Sequence, residues 1–383
     1  MKQSPFYKIH VPVPHWTSAA KAGVTRLLVS HGRKGMVLGN LFAPDHDAPV
    51  FESVVEHVSQ YRPEWIILLG RMFHDHAFEL VAPGEATRNA AEDEPPLAQE
   101  VEAARALTEV WEERVVELGR LLGQNYLVRL VEAAGPQCKL FYIPALEGNR
   151  VKLPPESNIP DILKRIQGSV DAYRRATLGE NYDPANYPTL PMKRGEFAKL
   201  LGVDKHPQIF VLPFGSTIML NCLVPNAPTA PDPANTKSMD AYLKKYVGNK
   251  VRVEIGKRST MHPITEGYNG AMLGAVSTIT SYPPHHANGW WTKWISANIT
   301  SRIYLSFAQV GMMFARHRLD FGDGHLERYA TGFWCGYNWR GALHGKSFPF
   351  VRGTNGCRFA QLWGHTLQER EPGDMGRQDV FVL

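Results

Sequence analysis

Apolar residues follow two periods along this chain, and the switches between them mark its elements. Met36 to Leu41 reads as a strand. Phe51, Val54, Val55, Val58 and Tyr61 then recur at helical spacing, which puts one apolar stripe on a helix. Trp65 to Leu69 is a continuous apolar run ended by Gly70, the pattern of a strand buried on both faces. Strand, helix and strand in so short a span make a βαβ unit and favour a parallel sheet. Leu97 to Ala134 reads as long helical segments interrupted around Gly119 and Gly123. Leu140 to Ile143 is the next strand, closed by Pro144, and Asn158 to Val170 is a helix with Asn158 as its polar entry cap. Residues 179–193 read as a loop, Ile209 to Leu212 and Thr217 to Leu223 as strands, Ser238 to Tyr246 as a basic helix and Val251 to Ile255 as a strand. From about Ala271 the text turns rich in Thr, Ser, Tyr, Trp and Gly with alternating polarity, which predicts β structure.

Composition narrows the classes. The 383 residues are 44% hydrophobic and 21% charged, ordinary globular usage that excludes disorder, collagen and coiled coil as the main architecture. Lys and Arg number 42 against 37 Asp and Glu; the net +5 permits an anionic partner without requiring one. Four widely spaced cysteines contain no C-x-x-C pair, so neither a zinc ribbon nor a disulfide framework is expected. Met1 to Trp16 shows no secretory apolar core, and Ile303 to Ala315 is too short to span a bilayer. The expectation is a soluble protein, cytoplasmic at synthesis, with no membrane partner.

With those elements laid out, the chain resembles the calcineurin-like metallophosphoesterases, and its text is most similar to phage and prophage members. The segment Val37-Leu38-Gly39-Asn40-Leu41-Phe42-Ala43-Pro44-Asp45-His46-Asp47, the helix after it, and Pro63-Glu64-Trp65-Ile66-Ile67-Leu68-Leu69-Gly70-Arg71 match that family's opening. There the first strand ends in Asp-x-His and the second in Gly-Asp. A Gly-Asn-His-Glu block falls on Gly148-Asn149-Arg150, a later His-Gly on Asn226, and Gly-His-x-His on Gly256 to Ser259. The resemblance runs over roughly residues 34–280. It implies an α/β fold: a β-sandwich flanked by helices (αββα), to which this chain adds a β-rich C-terminal extension. The expected organisation is an arm over 1–35, the phosphoesterase-like domain over 36–280 and the extension over 281–383.

The family's chemistry uses two metal ions roughly 3.5–4 Å apart to activate water and stabilise displacement at phosphorus. Position by position the ligands are replaced. Asn40 and Phe42 stand for the first Asp and His, and Arg71 for the bridging Asp; Arg150 stands for the catalytic His, and no His stands at 256–259. A guanidinium repels the dications that a bridging carboxylate would hold. The resemblance therefore implies a catalytically inactive relative, with no metal and no catalytic residue, kept as a structural or assembly component such as part of a virion.

Two alternatives remain open. A displaced site built from His74, Asp75, His76 and His365 would restore an Mn²⁺ or other divalent pair and make the protein an active phosphodiesterase or nuclease. A non-catalytic nucleic-acid-binding module would use Lys244, Lys250, Arg252 and Lys257. The extension holds six of the nine tryptophans, Trp290, Trp291, Trp294, Trp334, Trp339 and Trp363, amid arginines and few lysines. That composition suits a protein–protein contact, through self-association or with other proteins of an assembly, so these six are the interface candidates.

Overall fold

In the computed structural model, the apolar run of the fourth strand divides its side chains between two cores. Ile66 and Leu68 face helices, whereas Trp65, Ile67 and Leu69 face a second sheet. The same alternation repeats on the neighbouring strands and gives four layers: helices, six-stranded sheet, seven-stranded sheet, helix. The residues described are 9–12, 23–43, 46–79, 114–146, 156–187, 189–232, 234–255, 276–281, 289–294, 304–310, 313, 331–352, 358–362 and 366–368.

Strands β1 (Ile9–Pro12) and β2 (Gly23–Val29) come first, then β3 (Lys34–Gly39), helix α1 (Ala48–Tyr61) and β4 (Trp65–Leu69). Helical residues 114–122, a wider π-turn (Gly123–Val128) and α2 (Arg129–Ala134) lead to β5 (Lys139–Ile143), with α3 (Ile159–Leu178) after it. Then come β6 (Ile209–Val211), β7 (Thr217–Leu223), α4 (Thr236–Tyr246) and β8 (Val247–Ile255). The C-terminal part is β-rich: β9 (Val276–Ser281), β10 (Gly289–Trp294), β11 (Tyr304–Gln309), β12 (Gly332–Trp339) and β13 (Ala342–Pro349). Three short strands, β14 (Val351–Arg352), β15 (Arg358–Gln361) and β16 (Thr366–Gln368), form their own sheet.

The six-stranded sheet runs β13-β12-β3-β4-β5-β6 and the seven-stranded one β1-β2-β7-β8-β9-β11-β10. Because β3, β4, β5 and β6 are parallel, their carboxyl ends share one edge of the sandwich, where ligand crevices form in open α/β sheets. No helix among the described residues is long and apolar enough to cross a membrane.

The α/β sandwich with flanking helices is as expected, but its strands come from a wider span. Residues 23–29, read as part of an arm, form β2, which pairs in parallel with β7 and buries Leu27 and Val29 between the sheets. Within the supposed extension, β12 lies against β3, and β10 and β11 continue the seven-stranded sheet beyond β9. Pairings across some 300 residues leave no periodic mark in either strand. Asn158 does not cap α3; its side chain donates to Asp75 Oδ2 at 3.4 Å.

Two indoles fill the inter-sheet core, Trp65 against Trp334, with centroids 6.2 Å apart and planes tilted by 30°. Gly35, Gly336 and Gly345 face one another across β3, β12 and β13. A Cβ at Gly35 would lie 1.8 Å from the Trp65 ring, and one at Gly345 would lie 2.1 Å from that of Trp334. The glycine row is therefore the slot that admits both rings.

Candidate functional site

The edge formed by the carboxyl ends of β3, β4 and β5 is built mainly by backbone. Phe42 N–H donates to Arg71 O at 2.8 Å, Ala43 N–H to Met72 O at 2.8 Å and His74 N–H to Ala43 O at 2.9 Å. The two loops thus continue the parallel ladder past the strands. Asn40, Phe42 and Arg71 hold φ of 51°, 57° and 62°, left-handed values that are uncommon outside glycine and concentrate where surrounding structure enforces them. Residue 313 fastens the edge from the C-terminal part. Met313 N–H donates to Asn40 O at 3.1 Å, and its carbonyl accepts from Asp47 N–H at 2.8 Å.

Beneath the loops lies Glu156, which has no exposed surface. Its carboxylate accepts from Met72 N–H at 2.8 Å, Phe73 N–H at 3.1 Å, Ala145 N–H and the Tyr142 hydroxyl. It ties the end of β4 to the end of β5. Gly70 makes room for it, since a Cβ there would sit 2.6 Å from the carboxylate. Burial raises the Glu156 pKa above its usual 4.5, although the hydrogen bonds pull the other way. Burial, helped by the neighbouring Glu156 carboxylate, likewise drives the Tyr142 hydroxyl well above its ordinary value.

Arg71 is only 3% exposed, and its Nε and Nη1 have no hydrogen-bond partner. Removal from water lowers its pKa to about 10 despite the opposing field of Glu156. Phe42 is fully buried beside it in the ladder. These residues do not fit the dinuclear metal site that the resemblance implies. A phenyl ring and a guanidinium supply no donor atoms to a metal ion, and the one carboxylate beneath them is already occupied by amide and hydroxyl donors.

Of the displaced ligands, His74 and Asp75 have described side chains. His74 Nδ1 lies 3.6 Å from its own neighbour Asp75 Oδ1, and Asp75 is further engaged by Asn158. Among the described residues no three His, Cys, Asp or Glu side chains come together as a metal-binding group. His76 begins a one-turn helix, His76–Glu79, and Asn226 sits in an exposed turn at φ 61°. Gly148, Asn149, Arg150, Gly256, Ser259, Lys257, His365 and Trp363 lie outside the described residues.

The interface candidates separate. Trp334 is wholly buried between the sheets and is core, not surface. Trp290, Trp291 and Trp294 lie along β10, paired with β11. Trp339 is 48% exposed, and Tyr337 on the same strand face is 38% exposed. Period two explains the contrast: Phe333 and Cys335 share that face and are buried near His57 of α1, but α1 ends at Tyr61. His31 packs on Trp339 at 4.7 Å, Arg340 lies over the indole at 5.9 Å and His344 stacks on Tyr337 at 5.9 Å. On the seven-stranded sheet, Lys250 and Arg252 share a strand face, with Arg252 3.9 Å from Glu254.

Sequence reasoning missed Glu156, Tyr142 and Met313. Nothing local marks them: Glu156 is one acid before a helix, and only the fold shows what its carboxylate holds.

No known family model matches the chain, and no curated protein is similar to it. A solved crystal structure aligns with 70% of this chain and 74% of its own at 14% identity and a TM-score of 0.23. That score is too low to bear on fold or function, and the architecture is read from the sheets themselves.

Proposed function

We propose that this is a metallophosphoesterase-like protein without metal-dependent catalysis, working as a structural component of a multi-subunit assembly such as a virion. The observation that carries the reading is Arg71. The position at the end of β4 that the resemblance assigns to a metal-bridging aspartate holds a buried guanidinium. A positive charge there opposes a pair of dications whichever side chains surround it.

The assembly half of the reading draws on Tyr337 and Trp339. Among the described residues, large exposed hydrophobic side chains are Val116, Tyr337 and Trp339, and the last two lie side by side with His31, Arg340 and His344. Aromatic rings interleaved with arginine make effective contact cores. Sedimentation velocity over a range of concentrations tests this. Self-association that weakens in the Tyr337→Ser, Trp339→Ser double variant, with an unchanged melting temperature, is the expected result. A concentration-independent monomer would remove self-association from the reading.

A further inference from the structure

The Arg71 side chain is a buried cation with two of its guanidinium nitrogens left without a hydrogen-bond partner. Its Nε and Nη1 donate to nothing, and no carboxylate among the described residues lies within ion-pair distance of it. Glu156 is the charged neighbour whose field it feels, but that carboxylate is held by the Met72, Phe73 and Ala145 amides and the Tyr142 hydroxyl. Leu41, Phe42 and Met72, adjacent in the two loops, are fully buried and offer no side-chain oxygen or charge to pair with it. Unpaired buried charge is unfavourable, and proteins retain it where something binds it. The backbone carries a second signal. Asn40, Phe42 and Arg71 are three of the six described non-glycine residues with positive φ, and all three stand at the ends of adjacent strands β3 and β4. Strain collected at one edge marks a place held in shape for a purpose.

We propose that Arg71 anchors a binding site for a small oxyanion at the carboxyl end of β4. The guanidinium supplies charge-assisted hydrogen bonds, which are shorter and stronger than neutral ones and suit phosphate, sulfate or carboxylate oxygens. Glu156 fixes the loops around the site and does not itself touch the anion. The proposal goes beyond the assembly reading and does not depend on it, because an anion site at Arg71 is compatible with a scaffold or an enzyme.

The test is thermal unfolding of the full chain in sodium phosphate, sulfate or acetate against sodium chloride at equal ionic strength and pH. The expected result is a saturable rise in melting temperature of roughly 2 °C at ten times the dissociation constant, absent in Arg71→Met. A response to acetate as strong as that to phosphate supports the site and assigns its ligand as a carboxylate. Because Arg71→Met removes a buried group and can unfold the protein, a second measurement uses the wild-type chain. The Arg71 Nε–H resonance, assigned with Arg71→Lys, is followed by NMR as phosphate is added and is expected to shift on the same saturation curve. Equal melting in all four salts, an undiminished response in Arg71→Met, or an Nε–H resonance that does not move overturns the proposal.

Discussion

Phe42 N–H donates to the carbonyl of Arg71 at 2.8 Å, and both residues hold left-handed backbone. Two positions that would carry a metal ligand in the resembled family are thus locked to each other through main chain, while their side chains supply a ring and a cation. Main-chain hydrogen bonds from Phe42, Ala43 and His74 join the two loops.

Phe42 serves stability through its ring and opposes it through its φ. Phe42→Ala empties a fully buried site and is expected to cost roughly 3–5 kcal/mol by denaturant titration. Phe42→Gly loses the same ring but relieves the backbone, so it should unfold about 1 kcal/mol later than Phe42→Ala. Equal midpoints for the two variants would show that φ 57° carries no strain.

Glu156 links stability to pH. Its folded pKa is raised by burial, so the folded state binds its proton more tightly than the unfolded chain does. Its contribution is fully present below the unfolded value near 4.5 and is lost as pH rises through the raised folded value. Glu156→Gln should flatten that part of the stability profile. It also puts an amide NH₂ in place of one carboxylate oxygen, facing either the Met72 and Phe73 N–H groups or that of Ala145, with a loss on the order of 1–3 kcal/mol. Tyr142→Phe should cost less, about 1 kcal/mol, and a cycle of the two substitutions should show coupling. A wild-type minus Glu156→Gln difference that is flat across acid pH would refute this linkage.

Asn338 on β12 stitches the two sheets together. Its side-chain amide donates to Val29 O at 2.7 Å and Leu223 O at 2.9 Å, both on the opposite sheet, and its Oδ1 accepts from Gly341 N–H at 3.1 Å. Asn338→Leu leaves these buried backbone groups unsatisfied and is expected to cost on the order of 2–4 kcal/mol. Calorimetry that finds the variant within 0.5 kcal/mol of wild type, roughly the range of harmless surface changes, would contradict the stitch.

The glycine row tests the indole pair. Gly345→Ala sets a Cβ 2.1 Å from the Trp334 ring and should destabilise by roughly 1–3 kcal/mol or more. Gly345→Ala on a Trp334→Leu background should cost less, since the ring is gone, although Cys335 O, 2.6 Å from that Cβ, still opposes it. Additive losses would place the conflict elsewhere.

What the sequence made legible follows from which interactions are local. The run Trp65 to Leu69 announces a strand buried on both faces, and the stripe from Phe51 to Tyr61 announces α1; both were found. That Asn40, Phe42 and Arg71 bring neither carboxylate nor imidazole could be read directly because identity at a strand end is local. The pairing of β12 with β3 could not, because nothing in Trp334 or Val37 names its partner across the chain. Trp334 and Trp339 look alike in sequence; Trp334 faces the second sheet and is core, whereas Trp339, on the other face of β12, lies beyond the end of α1 and is exposed. Glu156 was illegible for the same reason, since its partners come from loops far apart in sequence.

Metal content and Mn²⁺-dependent hydrolysis of a generic phosphodiester, measured side by side on purified wild-type protein, test the central claim most directly. A buried guanidinium at position 71 predicts no stoichiometric metal after dialysis and no turnover above the uncatalysed rate. Two equivalents of bound metal with turnover would contradict it.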